Sequence, residues 1–189
     1  MRSYAVRIEG VSPLLMHRFG AEAQAKVQAG TSSVTERDNV EVAAEAAAYR
    51  LPSENGKKGN LYIPAVAILR AIGGAASGEK VGRKSAAPFV AAGMFINTAA
   101  IDLGTSEYVI DSQPVVVPAT RGRVIRHRPR LDKWAAAFTL DVDESLFANK
   151  EFVNRLLVLA GQRIGLLDFR PQKRGPYGRF IVTRFDEIT

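Results

Sequence analysis

At 189 residues and 47% hydrophobic content, the chain is long enough for one domain with its own core. It has no cysteine, which excludes disulfides, thiolate chemistry and Cys-ligated zinc, and only His17 and His127 offer imidazole. The 26 Lys and Arg outnumber 19 Asp and Glu, a net charge of +7 that favours a polyanionic partner because each cation set on a phosphate releases a condensed counterion.

The elements follow in chain order. Arg2 to Glu9 alternates, with Tyr4, Val6 and Ile8 on one face, and predicts a half-buried strand. The start MRSYAVRIEG has no signal-peptide core, and no apolar run approaches the roughly 20 residues of a membrane span. A cytoplasmic location without membrane contact is the expectation. Pro13 keeps the apolar stretch from Val11 to Met16 out of a regular helix. Short helices are predicted at 21–29 and 41–50, separated by a polar linker, and a loop at 52–60.

Leu61 to Ile63 predicts a short strand running into a helix that has Pro64 as its first residue. Val66, Leu69, Ile72 and Gly73 are expected to share its buried face, and Gly73-Gly74 to weaken its end. A Gly- and Lys-rich loop spans 77–85, and 89–103 ends as a strand. Tyr108 to Val117 is a β-rich run broken by Pro114, which suggests an edge or a projecting ribbon. Trp134, Ala136, Phe138, Leu140 and Val142 alternate as another strand. Asn149 or Asp143 caps a helix over 150–161, with Phe152, Leu156, Leu159 and Ala160 as its apolar face. A loop rich in Gly, Pro and Arg covers 165–178, and Arg179 to Ile188 closes the chain as a strand.

Stripped of loops, the order is strand, helix, strand, strand, helix, strand. The fold class expected is α+β, an RRM/ferredoxin-like βαββαβ core in a single domain over 1–189. A helical insertion after the first strand spans about 12–60, and a projecting basic β-ribbon spans about 104–132.

The densest basic feature runs from Arg121 to Trp134, where six of fourteen residues are Lys or Arg. Arg126, Arg128 and Arg130 project to one side of an extended segment, Arg121 and Arg123 to the other. Arginine forks fit phosphate oxygens, Lys133 adds charge, and His127 or Trp134 offers a ring to an unpaired base. The competing reading is a solvated edge strand whose charges discourage aggregation.

A second cluster, Gly161 to Phe180, interleaves Arg163, Arg170, Lys173, Arg174 and Arg179 with glycines that let the backbone approach a ligand. Phe169, Tyr177 and Phe180 supply ring faces, though Phe180 reads better as core. The third patch, Lys80, Arg83 and Lys84, serves equally as a solvated loop. His17 and Arg18 follow the first strand and cap the insertion or contact a ligand.

No Gly-rich phosphate-binding motif and no G-x-S-x-G setting occurs. Asp38, Asp102, Asp111 and Asp168 are scattered, with no pair spaced for general acid–base work. The expectation is a binding protein, not an enzyme, with no metal site and no cofactor.

Three segments carry a family resemblance: Gly10-Val-Ser-Pro-Leu-Leu-Met16 after the opening strand, Ile63-Pro-Ala-Val-Ala-Ile-Leu-Arg70, and the glycine-rich 165–180 stretch. Together they resemble the RAMP superfamily of CRISPR-associated proteins, and within it a compact relative of the Cas-seven-like backbone subunits. The resemblance implies an RRM-like palm, a projecting thumb that kinks the bound strand, and polymerisation along a guide RNA beside other CRISPR-type subunits. In target-cleaving relatives the cutting aspartate lies in the loop after the first strand, where Asp38 is the sole aspartate here.

Three functions compete on this basis. The first is a sequence-tolerant binder of single-stranded RNA or DNA that assembles as a homo-oligomer along the strand. The second is a metal-dependent ribonuclease of the same superfamily. The third is a basic interaction protein that docks an acidic partner.

Overall fold

The structure is a computed structural model that describes residues 1–18, 39–53, 56–116 and 122–188. The helix expected at 21–29, Asp38 and Arg121 lie outside the described residues.

In chain order the first elements are β1 (Arg2–Gly10), β2 (Leu14–Leu15), α1 (Val40–Ala46), β3 (Tyr62–Pro64), α2 (Ala65–Ala76), β4 (Lys80–Val81) and β5 (Lys84–Ser85). They continue as α3 (Ala87–Gly93), β6 (Met94–Phe95), β7 (Ala100–Asp102), β8 (Val109–Val116), β9 (Arg123–Leu131) and β10 (Ala135–Val142). The last are α4 (Lys150–Leu159), a π turn (Ala160–Ile164), a 3-10 turn (Pro171–Lys173) and β11 (Phe180–Ile188). The chain is of mixed α+β class.

Period-two alternation builds the main sheet, which is antiparallel throughout with the order β11-β1-β10-β6. Tyr4, Val6, Ile8, Ala136, Phe138, Leu140 and Val142 are buried on its inner face, as the alternation predicted. Their partners are Ile68 and Ile72 of α2 and Val153, Leu156 and Leu157 of α4, in one continuous core. The outer face presents Arg7, Ala137, Thr139 and Thr183 to solvent. In β11 a register shift opposite Arg7 and Ile8 pairs Arg184 with the former and Val182 with the latter. That bulge turns both Val182 and Phe185 toward the core, although they are three residues apart.

Helix ends follow capping chemistry. Asn39 accepts from the amides of Glu41 and Val42 at the start of α1, and Asn149 accepts from Phe152 at the start of α4. Pro64 ends β3 and caps α2 from outside, so the helix begins one residue later than expected.

Two expectations for α2 need correction. Its buried residues are Ala65, Ile68, Ala71, Ile72, Ala75 and Ala76, whereas Val66 is exposed. The helix also runs through Gly73 and Gly74 to Ala76, because Gly74 lets the π turn pack close: a Cβ there would lie 3.3 Å from the Ile164 side chain. Similarly, α4 buries Val153 and Leu157 while Phe152 is only half-buried.

β8 and β9 form the expected ribbon, with Val116 opposite Arg123 at its far end and Val109 opposite Arg130 at its base. β2 pairs only with the base, Leu14 against Leu131 and Leu15 against Arg130. Beyond that the ribbon is two-stranded among the described residues. Pro114 sits within β8, an edge strand that tolerates its missing N–H. The residues expected as a loop at 77–85 form the β4–β5 hairpin instead.

Candidate nucleic-acid interface

Alternation along β9 sets Arg126, Arg128 and Arg130 on one face of the ribbon, with Asp111 directly opposite Arg128 on β8. The Arg128 guanidinium lies 3.4 Å from Asp111 and 2.8 Å from Asp168, and both Arg128 and Asp111 are 4% exposed. Arg130 binds Asp132 at 2.8 Å and Asp111 at 3.5 Å. The Asp132 hydrogen bond, ahead of the attraction of Asp111, holds the Arg130 guanidinium above its ordinary pKa. Arg126 contacts the His17 ring at 3.1 Å. On the other face His127 shares a 2.7 Å hydrogen bond with Ser112, and Arg123 is exposed.

Two expected contact residues are therefore corrected. Arg128 is not placed to meet a phosphate, because its guanidinium is buried and already held by two carboxylates. Trp134 offers no ring to a base. It is 7% exposed, stands edge-on to Phe180, and donates from Nε1 to the Ser12 carbonyl at 2.9 Å. Phe180 is core, as expected.

The glycine-rich loop is stitched to the segment after β1. Gly178 N donates to Pro13 O at 2.8 Å, Asp168 N to Leu15 O at 3.0 Å, and Arg179 N to Ser12 Oγ at 2.9 Å. Arg170 is an internal brace, donating to the Leu167 carbonyl at 2.8 Å and to Gln172. Arg163, Lys173, Arg174 and Arg179 are exposed. Tyr177 is half-buried, its hydroxyl accepting from Gln113 Nε2 of the ribbon at 3.2 Å.

Ribbon and loop thus meet through Arg128–Asp168 and Gln113–Tyr177, on the three-stranded β2-β9-β8 sheet and not on the main one. Acids that are scattered in sequence are gathered there: Asp111, Asp132 and Asp168 surround Arg128 and Arg130. Hairpin register supplies the signal that was missed, since Asp111 and Arg128 are directly paired.

The remaining candidates lie apart. Lys80, Arg83 and Lys84 are exposed on the β4–β5 hairpin, whose neighbour Glu79 pairs with Arg155 of α4 at 3.3 Å. Arg18 is exposed, its amide bound to Ala47 O. Lys133 is exposed beside an open cleft of about 880 Å3 between the ribbon base and the main sheet. Sequence reasoning passed over the cleft's other walls, Arg7, Glu9, Glu107 and Tyr108. With Arg7, Arg130 and Lys133 set against Glu9, Glu107 and Asp132, the cleft has no bias of charge.

Among the described residues no group of three His, Asp or Glu is placed to hold a metal ion, and no helix is long and apolar enough to cross a membrane. Neither a family model nor a curated protein matches the sequence.

Proposed function

We propose that this chain is an RRM-like domain that binds single-stranded nucleic acid, with copies assembling side by side along the strand. The order β11-β1-β10-β6 supports the fold reading, because a βαββαβ unit places its fourth strand beside the first and its third between first and second. α2 and α4 then occupy the two helix positions, and the ribbon enters between the second and third strands.

The observation that carries the functional reading is the junction of ribbon and glycine-rich loop. Around it Lys173, Arg174 and Arg179 are exposed, with Arg123 exposed farther out along the ribbon, and none of the four makes an ion pair with any described residue. Such cations supply a sequence-independent grip on a phosphate backbone. The RAMP-like layout of palm, helical insertion and ribbon points to RNA as the strand. The reading is of a binder without catalysis: Asp111, Asp132 and Asp168 are engaged by arginines.

The test is fluorescence anisotropy with matched RNA and DNA strands of about 30–40 nucleotides, two or three site sizes, over a salt series, followed by size-exclusion chromatography. Binding that weakens steeply with salt, together with large assemblies formed only with the oligonucleotide, is the expected result. Affinity indifferent to salt, or no binding to either strand, overturns it. Cleavage of the RNA would reassign the protein as a nuclease.

A further inference from the structure

Among the described residues, three that are not glycine adopt a left-handed backbone, and all fall within eight positions of the glycine-rich loop: Leu167 at φ 59°, Phe169 at φ 46° and Arg174 at φ 61°. Side chains resist this region, so neighbours must hold them there. For Phe169 the restraints are explicit. Asp168 N is tied to Leu15 O at 3.0 Å, and Tyr177 N donates to the Phe169 carbonyl at 3.2 Å. Gly175 lies so close to the Phe169 carbonyl and ring that no Cβ fits.

The ring that this backbone presents is not buried. Phe169 is 39% exposed, with its centroid 6.0 Å from that of Tyr177 and tilted 44° to it. Tyr177 is in turn bound to Gln113 of the ribbon, so the Phe169 ring is fixed at the junction of loop and ribbon. Lys173 and Arg174, both exposed, stand in the same turn. Among the described residues, Phe95 is the other exposed phenylalanine. It lies on β6 opposite Asp141.

We propose that Phe169 is the stacking residue for an unpaired base at the ribbon–loop junction, with Lys173 and Arg174 on the flanking phosphates. An apolar ring held in place at the cost of backbone strain, open on one side and edged by cations, has the makings of a base platform. Phenylalanine has no hydrogen-bonding group, so the platform accepts any base. This rests on the single-strand reading above and adds to it the group that engages bases instead of phosphates.

The experiment compares an oligoadenylate of about 20 nucleotides with an abasic ribose-phosphate strand of equal length, enough for at least one site. Wild-type protein is expected to bind the oligoadenylate more tightly. Phe169→Leu is expected to lose about tenfold in affinity for the oligoadenylate, within the range measured for base–aromatic stacks, and nothing for the abasic strand. Phe169→Trp keeps a ring and is expected to keep affinity. Its added indole is to be quenched by the oligoadenylate alone, against a background of the single buried Trp134.

Equal binding of both strands by wild type and Phe169→Leu overturns the stack and leaves the phosphate reading standing. An equal loss on both strands shows a merely structural role and overturns it too. If wild type binds neither strand, both readings fall. Should Phe169→Leu not fold, unquenched Phe169→Trp overturns the stack alone.

Discussion

Arg128 of the ribbon and Asp168 of the glycine-rich loop meet at 2.8 Å, and the same guanidinium reaches Asp111 behind it. Among the described residues this is the side-chain ion pair that joins the two basic segments, and it makes Arg128 a fastening where a ligand contact was expected. The ribbon is thereby braced at its base while its far end, with Ile125 64% and Val116 59% exposed, stands clear.

Arg128→Met is expected to destabilise the protein by about 3 kcal/mol, the lower end for breaking a buried ion pair. Removing the guanidinium takes from Asp111 its buried cation and leaves it the half-exposed Arg130 at 3.5 Å and the neutral Gln113 amide at 3.1 Å. Adding Asp111→Leu is expected to recover much of the loss, since a paired apolar replacement leaves no buried charge. Urea midpoints at unchanged m-value provide the measurement. A single variant as stable as wild type contradicts the fastening.

The exposed cations make a different prediction. Replacing Arg123 or Arg174 with alanine is expected to reduce the salt slope of single-strand binding by about 0.7 for each phosphate no longer neutralised. Replacing Lys80, Arg83 and Lys84 together is expected to leave the slope unchanged, because their hairpin lies beside α4 and away from the ribbon. A slope carried by the hairpin would move the site to the helical side.

The strands were legible because one face of each is buried, which stamps alternation onto β1 and β10 in full. The ribbon was legible from Pro114 and the arginine run. What escaped depends on partners distant in sequence. Gly73 and Gly74 look like a helix end, yet at Gly74 the close approach of Ile164 makes a missing side chain an advantage. Arg128 looks like its neighbours until pairing places Asp111 and Asp168 around it. Trp134 fits both an alternating strand and a stacking ring by its position in the chain; burial decides for the first.

Gly10 offers a test of that tryptophan's place. The indole lies against the Gly10 backbone so closely that a Cβ at residue 10 would overlap the ring. Gly10→Ala is expected to cost about 1–3 kcal/mol, the usual range for overpacking. It also displaces Trp134 from its 2.9 Å bond to Ser12. Because Trp134 is the protein's only tryptophan, a red-shifted emission reports the displacement directly. An unshifted spectrum with full stability contradicts the packing.

The Glu45–Tyr108 contact predicts opposite responses at the two ends of the pH scale. Glu45 on α1 accepts from both Arg50 and the Tyr108 hydroxyl, the latter at 2.9 Å, while Arg50 also holds the carbonyls of Gly59 and Ser106. The Arg50 hydrogen bond, ahead of the one from Tyr108, keeps the Glu45 carboxyl below its ordinary 4.5. A depressed carboxylate stabilises the fold above its unfolded pKa, and that contribution is lost as pH falls through the folded value. The acid limb therefore lies below pH 4.5. Tyr108 is pushed up from 10.0 to about 12, first by burial and then by its bond to Glu45. The neutral phenol's contribution is complete below pH 10, where folded and unfolded chains are both protonated. It is lost as pH rises from 10.0 to about 12, because the unfolded chain ionises first. Glu45→Gln is expected to flatten the acid limb of the urea midpoint and bring the last phenolate absorbance step down toward 10. A variant with both limbs intact would show that this contact does not set the pH response.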